Sequence, residues 1–428
     1  MTLDLSFDWL RALILWFQGT GLYWFMLFYF AAYPIVTSIM WITTSWMFRI
    51  RWEEESDEIV APKTGWPPVT VIIPAYNEQS VIRSSLRAVI NLDYPDLEVI
   101  VVDDGSTDRT LDAMLPVLPN GSLRVVRKLN NEGKALALND VLPLARGELL
   151  LVLDADAQPE PDMLLWMVPH FSFGRTAAVT GNPRVRNTNG FLTRLQAIEF
   201  SSIVSLLRRS QRIWGRITTV SGVVTMLRKS AVIDVGGFSP NMPTEDIELT
   251  WKLQKRFYDV RYEPRAICWM TVPVSLRGLW RQRLRWARGL MQVMRKHHDV
   301  FMHWKFRRMW PCFTESIMST FWCICFVVLT GIWFLCLALG MPLAGATPFP
   351  NLWGMTIGTI CILQLGTGAL IDRRYDPFIG RYFPYAVWYP IIYWAILACA
   401  TVVSLPYLLR RPGKDSITWN TQRKGTAA

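Results

Sequence analysis

A chain of 428 residues that is 51% apolar, only 18% charged and carries 21 tryptophans departs from the soluble globular average, in which about a quarter of residues are charged. Its net charge of +11 is concentrated beside the apolar runs and comes with no nucleic-acid-binding motif. That excludes a nucleic-acid surface and suggests membrane-flanking cations plus an anion site.

Residues 9–48 form an apolar stretch broken by Arg11, Gln18 and Pro34. A helical span needs about 20 residues, so 26–48 predicts one span, while 9–24 is short and polar for another. No small-residue cleavage site follows, so a removed signal peptide is not expected. Three more apolar runs lie at 313–339, 351–371 and 383–407, with Trp and Tyr toward their ends as interfacial anchors. Arg49 and Arg51 close the first block, and Lys305, Arg307 and Arg308 precede the second run of the chain. Both flanks of the middle section are therefore basic, which predicts a multi-pass protein with that section in the cytoplasm and the uncharged 341–350 loop outside. The last run conflicts with this simple scheme. Arg373, Arg374 and Arg381 precede it and Arg410, Arg411 and Lys414 follow it, so both ends carry a cytoplasmic signature. Pro384, Pro390 and Pro406 permit a re-entrant or broken helix there. The expected organisation is membrane segments over 1–50, a linker over 51–68 and a cytoplasmic catalytic domain over 69–270. Interfacial amphipathic helices over 271–312, membrane segments over 313–408 and a basic tail over 409–428 complete it.

The middle section alternates strand and helix. Strands are predicted at 69–73 (ending at Pro74), 97–102, 123–126 and 149–153, and helices at 80–91, after Thr107 or Asp108 as N-cap, and at 134–145. This alternation implies right-handed crossovers and an α/β fold, a mainly parallel sheet flanked by helices and embedded between the N- and C-terminal membrane segments. Ligands of such sheets bind beyond the carboxyl ends of the strands. Asn77-Glu78, Asp103-Asp104 and Asp154-Ala155-Asp156 all fall there, although tens of residues separate them.

Asp154 and Asp156 are two apart, so extended geometry would project both carboxylates from one face. Such a pair suits Mg²⁺ or Mn²⁺ bridging to substrate phosphates. An isolated Asp-x-Asp is common; its place after an apolar strand gives this one weight. Asp103 and Asp104 are adjacent and point apart, which suits contacts to a nucleotide or a tight turn with a helix cap. Thr244-Glu245-Asp246 opens a helix over 247–255 with Thr244 as candidate N-cap. Asp246 there could take a proton from an attacking sugar hydroxyl, and an acidic first turn that complements the helix dipole is the ordinary alternative. Residues 275–298 predict a helix with Arg277, Arg281, Arg285 and Arg288 along one stripe and an apolar side that includes Leu279, Trp280 and Trp286. It reads as an interfacial helix on anionic lipid, with Arg285 able to bind diphosphate and Trp286 to stack on a sugar. Gly133-Lys134 lacks the remainder of a P-loop, yet Lys134 remains a candidate phosphate contact. His170, His297, His298 and His303 form no ligand spacing, and the seven cysteines form no zinc pattern. Asn120-Gly121-Ser122 matches a glycosylation acceptor but reads better as a cytoplasmic turn.

Pro74-Ala75-Tyr76-Asn77-Glu78, Asp103-Asp104-Gly105-Ser106, Asp154-x-Asp156, Thr244-Glu245-Asp246 and Gln282-Arg-x-Arg285-Trp286 occur in the order seen in the processive family 2 glycosyltransferases, which the chain resembles. That family includes the cellulose, chitin and hyaluronan synthases. Val179-Thr180-Gly181-Asn182-Pro183-Arg184, Val220-Ser221-Gly222 and Tyr262-Glu263-Pro264-Arg265-Ala266 are similar to its branch that makes β-1,6-linked poly-N-acetylglucosamine for bacterial biofilms. The resemblance implies a GT-A-like domain, inverting transfer from UDP-N-acetylglucosamine to a growing polysaccharide, a divalent metal and a place in the bacterial inner membrane. It also implies contact with membrane lipid, a small membrane partner subunit and control by cyclic di-GMP, for which the chain has no separate domain. By motif, Asp246 is the implied base with Glu245 and Asp156 as further catalytic carboxylates, and Asp154 and Asp156 are the implied metal ligands. Glu78, Asp103 and Asp104 match nucleotide contacts, and Gln282, Arg285 and Trp286 match the element that closes over diphosphate and acceptor. The alternatives are a chitin- or hyaluronan-like synthase with another linkage, a non-processive transferase acting on a lipid phosphate, and a nucleotide-sensing regulator built on an inactive transferase.

Overall fold

The computed structural model describes residues 7–54, 58–63, 65–117, 123–345, 352–410 and 417–418. Its centre is a sheet of β1 (Val69–Ala75), β2 (Leu97–Asp103), β3 (Leu123–Arg127), β4 (Leu149–Leu153), β5 (Gln158–Pro159), β6 (Thr176–Val185), β7 (Val224–Arg228) and β8 (Asp259–Met270). The helices that pack on it or lead to the membrane are α1 (Asp8–Gln18), α2 (Gly21–Phe48), α3 (Ile82–Ile90), α4 (Thr110–Met114), α5 (Lys134–Val141), α6 (Met163–Met167), α7 (Phe191–Glu199), α8 (Leu206–Trp214), α9 (Lys229–Asp234), α10 (Glu245–Lys255), α11 (Leu276–Lys296), α12 (Trp310–Leu339), α13 (Leu352–Asp372), α14 (Ile379–Tyr382) and α15 (Trp394–Ser404).

Among the described residues the strand order is β3-β2-β1-β4-β7-β6-β8-β5. β3, β2, β1 and β4 run parallel, β7 is antiparallel to both β4 and β6, and β6 and β8 are again parallel. The parallel strands are near-continuous apolar runs because helices cover both faces. Val71, Ile73, Leu149, Leu151 and Leu153 meet Ile82, Leu86 and Val89 of α3 and Met163 of α6. The alternate residues Ile72, Ile100, Val102, Leu150 and Val152 meet Leu138 and Val141 of α5 and Leu249 and Leu253 of α10. This two-residue alternation fixes the register, since a one-residue slip would exchange the two cores.

Three local expectations change. β1 continues through Pro74, which pairs with Val102, because β1 has already parted from β4 at Ile72 and a missing N–H costs no ladder bond on that side. α5 stops at Val141, two residues before Pro143, rather than reaching residue 145. Of the two candidate caps for α4, Asp108 accepts from the Thr110 N–H at 2.9 Å, whereas the Thr107 N–H donates to Asn77 Oδ1 at 2.9 Å.

Among the described residues, four helical segments are long and apolar enough to cross a membrane: Gly21–Glu53, Trp304–Leu339, Gly354–Asp372 and Ile379–Leu408. The 9–24 stretch divides into α1, which at 11 residues is too short to span, and the start of α2. The Tyr23 hydroxyl donates to Ala344 O at 2.8 Å, so the start of α2 and the loop after α12 share the end away from the sheet. At the other end, Ser45 of α2 donates to Leu206 O at 2.8 Å, Cys312 of α12 contacts Arg216 O at 3.2 Å, and Asp372 of α13 meets Arg184 of β6 at 2.5 Å.

The last segment behaves differently. Tyr382 bonds Thr188 at 2.8 Å near its start, and Leu408 O accepts from Arg295 at 2.8 Å at its end, so both ends face the sheet. Its middle reaches Trp394, edge-on to Trp322 at 5.1 Å, about half-way along α12. It is broken into a 3-10 turn over Phe383–Trp388, a π turn over Tyr389–Tyr393, α15, and a 3-10 turn over Leu405–Leu408. Pro384, Pro390 and Pro406 stand in the first residues of the three irregular turns, where a missing N–H is tolerated. Asn120-Gly121-Ser122, the 346–350 half of the 341–350 loop and most of the 409–428 tail lie outside the described residues.

Candidate active site

The carboxyl edge of the sheet gathers the motifs. After β2, Asp103 Oδ1 accepts from the Ser106 N–H at 3.0 Å, closing a turn in which Gly105 has φ 73°. A Cβ at Gly105 would lie 2.7 Å from the Asn130 backbone carbon, so the turn and the neighbouring loop require glycine. Asp104 accepts from the N–H groups of Gly133 at 2.7 Å and Glu132 at 3.2 Å, and thereby holds the loop that opens α5. Burial raises the Asp104 pKa, opposed by those two N–H groups and by Lys128. Glu78 is buried after β1, and its backbone N–H donates to Thr110 Oγ1 at 2.8 Å. Of the two roles foreseen for Asp103 and Asp104, the turn-forming one is visible in both.

The Asp104 anchor aims Lys134 into the centre of the acids. Lys134 Nζ lies 2.7 Å from Asp154 Oδ1, 3.2 Å from Glu245 Oε1 and 3.0 Å from Gly222 O. Burial would lower the lysine's pKa, but Asp154 and Glu245 reverse this and raise it, so the ammonium is fully charged. Asp246, beside Glu245 in the first turn of α10, is so close to the Gly222 backbone that a Cβ there would stand 2.9 Å from its Oδ2. Burial and then the Glu245 charge push Asp246 up to about 6, with Lys134, the Ile247 N–H and Arg285 acting the other way.

Two sequence expectations fail in this region. Asp154 and Asp156 do not lie on an extended strand: the Ala157 N–H returns to Asp154 O at 3.0 Å, which makes a turn. Asp154 faces Lys134, while Asp156, 2% exposed, accepts from the Thr271 N–H at 3.1 Å and hydroxyl at 2.5 Å. Thr244 occupies the N-cap position of α10 but makes no capping bond. Its hydroxyl is pressed against α11, where a Cβ at Gly289 would sit 2.1 Å from Thr244 Oγ1.

That close approach lays α11 across the start of α10, with Arg285 one turn before Gly289. Arg285 is exposed, and its Nη1 donates to Pro243 O at 3.3 Å. Gln282 has a buried Oε1 with no hydrogen-bond partner among the described residues. Arg277 and Arg281 are exposed with Arg285, as the stripe predicts, while Arg288 is half-buried with its guanidinium 5.1 Å from the Tyr407 ring. One cation escaped the sequence reading. Arg283 is buried, bonded to Glu199 and stacked on Trp286. Its signal was present, because 279, 283, 286 and 290 share one helix stripe and only 283 is charged. His170 pairs with Glu263 at 2.8 Å, away from the acids, and burial pushes the Cys268 thiol well above its usual range.

The sequence model "Glycosyl transferase family 2" matches residues 70–236. The poly-β-1,6-N-acetyl-D-glucosamine synthase of Staphylococcus epidermidis is 34% identical over 413 residues, covering 94% of this chain and 98% of that one. The enzyme of the same name from Staphylococcus aureus strain COL is 34% identical over 412 residues, with the same coverage. The chain belongs to this family. It is a glycosyltransferase of family 2, in the branch of the poly-β-1,6-N-acetyl-D-glucosamine synthases. Its fold is also that of a mannosyltransferase from Pyrobaculum calidifontis solved with GDP-mannose and Mn²⁺, with a TM-score of 0.62 and 24% identity over 89% of this chain and 98% of that one.

The acids of this family 2 glycosyltransferase also bear on a divalent cation. No group of three or more potential ligands exists among the described residues, and the candidate ligands there are the Asp154 and Asp156 carboxylates. Such a set fits Mg²⁺ or Mn²⁺, which bind through one or two carboxylates and take their remaining ligands from water and substrate phosphates. It does not fit a self-sufficient protein cage.

Proposed function

We propose that this chain transfers N-acetylglucosamine from UDP-N-acetylglucosamine to the 6-hydroxyl of a growing poly-N-acetylglucosamine chain and passes the product across the bacterial inner membrane, in support of biofilm. The carboxyl edge of the sheet would face the cytoplasm, as the basic flanks suggest. The observation that carries the reading is 34% identity to poly-β-1,6-N-acetyl-D-glucosamine synthases over 94% of the chain, membrane segments included.

In this reading the acceptor O6 attacks the anomeric carbon while the bond from that carbon to the β-phosphate oxygen breaks. UDP departs, the anomeric configuration inverts, and the O6 proton passes to Asp246. A carboxylate raised to about 6 suits this work, since it is mostly ionised at neutral pH yet more basic than an ordinary aspartate. Glu245 sustains that basicity by charge repulsion and holds Lys134. The Lys134 ammonium and the Arg285 guanidinium flank the position of the departing diphosphate. A divalent cation on Asp154 and Asp156 would add charge neutralisation there. Glu78, Asp103 and Asp104 line the nucleotide end, the two aspartates chiefly by shaping its loops. Trp286 offers a stacking face to the acceptor sugar, and the orphan Gln282 Oε1 accepts from one of its hydroxyls. The apolar faces of the spans meet lipid and a small membrane subunit, and any response to cyclic di-GMP would run through such a partner.

The test is direct. Membranes containing the protein, given radiolabelled UDP-N-acetylglucosamine with Mg²⁺ or Mn²⁺, are expected to form polymer that a β-1,6-hexosaminidase degrades. Short lipid-linked products alone would establish a non-processive transferase instead, and polymer resistant to that enzyme would change the linkage.

A further inference from the structure

Arg283 lies on the same helix as Gln282, Arg285 and Trp286 but points into the protein. It is 3% exposed, and its Nη2 donates to Glu199 Oε2 at 2.5 Å and to Tyr393 Oη at 3.1 Å. Its guanidinium carbon stands 4.2 Å from the centre of the Trp286 ring, well within cation–π range. Three distant parts of the chain meet at this point: α11, the last residue of α7 and the π turn of the last membrane segment.

A buried ion pair is a poor way to gain stability, since an apolar replacement of equal volume often serves as well. What an apolar trio could not supply is a flat cation fixed in two directions. The planar guanidinium both stacks on an aromatic face and donates along its edge, and here it does the two at once. Trp286 packs at the edge of the apolar cluster that includes Leu279, Tyr389 and Tyr393 and is itself only partly buried.

We infer that Arg283 is a positioning residue for chain elongation: clamped by Glu199 and Tyr393, it covers one face of Trp286 and leaves the opposite face to the acceptor sugar. The inference rests on the reading of Trp286 as the acceptor platform. A pyranose presents an apolar C–H face that stacks on indole, and a ring already fixed in its rotamer spares the acceptor the cost of ordering it. Because Tyr393 belongs to the segment that dips into the membrane, the acceptor platform and that segment share one clamp.

The test uses the full-length protein in membranes. Tyr393→Phe and Glu199→Gln keep side-chain shape while altering one partner each, and Arg283→Lys keeps the charge but loses the plane. Mean polymer length, donor KM and UDP released per sugar incorporated are measured together. The expected result is a donor KM within about twofold of the parent, with polymer about three- to tenfold shorter and UDP release rising relative to incorporation, the range expected for a lost cation–π or charged hydrogen bond. Parent polymer length in all three variants overturns the inference. So does a parallel loss of donor affinity, turnover and folded yield, which would make Arg283 a brace of the fold alone. Parent membranes that make no polymer would instead defeat the functional reading beneath it.

Discussion

Replacing Gly222 by alanine isolates the contribution of Asp246. The added Cβ would lie 2.9 Å from Asp246 Oδ2 and 3.6 Å from Lys134 Nζ, against an ordinary contact that begins at 3.4 Å. The shortfall is 0.5 Å, the difference between 3.4 and 2.9. Gly222 is not among the glycines with positive φ, so its backbone accepts alanine. The carboxylate is the end of a rotatable side chain and is therefore what moves. Stability should change by no more than about 1 kcal/mol, as for substitutions that create neither a cavity nor an unpaired charge. Catalysis is less forgiving, since a misplacement of about 1 Å costs roughly 100-fold and productive sites hold their groups within about 0.5 Å. A fall in kcat of about tenfold is expected, with UDP affinity unchanged. The assay pairs initial rates of UDP release and polymer formation with UDP binding and thermal unfolding of the purified variant. Parent-like kcat would refute the idea that the position of Asp246 limits the reaction. Loss of UDP affinity in step with kcat would show that the methyl acts on the donor instead.

Asp246→Asn is expected to abolish polymer formation while UDP binding measured by calorimetry persists; retained synthesis would remove Asp246 from the role of base. Turnover should climb as pH rises through about 6, because Asp246 must be ionised to accept the proton. The same ionisation lowers stability, since a carboxylate whose folded pKa exceeds its unfolded value of about 4 loses that contribution as pH rises from there to the folded value. A flat kcat profile across this window would contradict the assignment. Arg209→Met leaves Glu53 and Asp372 buried without their shared cation and should cost about 3–5 kcal/mol in detergent unfolding; parent-like stability would show that the cluster is weakly coupled. In a cysteine-free background, cysteines at Phe378 and Leu409 should label from the same side as one at Phe257, and one at Pro342 from the opposite side. Labelling of 409 with 342 would make the last segment a full crossing.

The sheet and the edge that carries the site were legible because local composition dictates both. Runs such as Leu149–Leu153 are apolar throughout only when both faces are covered, and a polar motif following each run marks a strand's carboxyl end. What stayed hidden depends on packing between remote segments. Nothing in Asp154-Ala155-Asp156 tells that the chain turns there, since the turn closed by the Ala157 N–H is set beside a remote segment: Val223 O, just before β7, accepts from the Asp154 N–H at 3.1 Å. Thr244 has the residue type of a cap, and the approach of α11 at Gly289 places its hydroxyl elsewhere. Lys134 reads from its neighbours in sequence as a phosphate contact, but its position between Asp154 and Glu245 is set by Asp104, which binds Gly133 29 residues downstream. The paired basic flanks of the last apolar run left its path open, and what the structure adds is a helix broken at its three prolines.

The buried charges at the base of the spans explain how membrane segments and acid cluster keep a fixed relation. Glu53 follows α2, Asp372 ends α13, Arg209 lies on α8 and Arg184 on β6, and none is more than 3% exposed. Arg209 meets Glu53 at 2.5 Å and Asp372 at 2.8 Å, and Arg184 meets Asp372 at 2.5 Å. Apolar side chains in this place could hold the helices equally well, but they tolerate sliding, because lipid-facing and protein-facing apolar surfaces differ little in free energy. Charges that lose several kcal/mol when separated do not tolerate it, so each helix end has one permitted depth. α8 then leads, within eight residues of its last turn, to Gly222, whose carbonyl holds Lys134 and whose missing side chain admits Asp246. The depth of the spans and the placement of the proposed base are thus set by one continuous piece of chain.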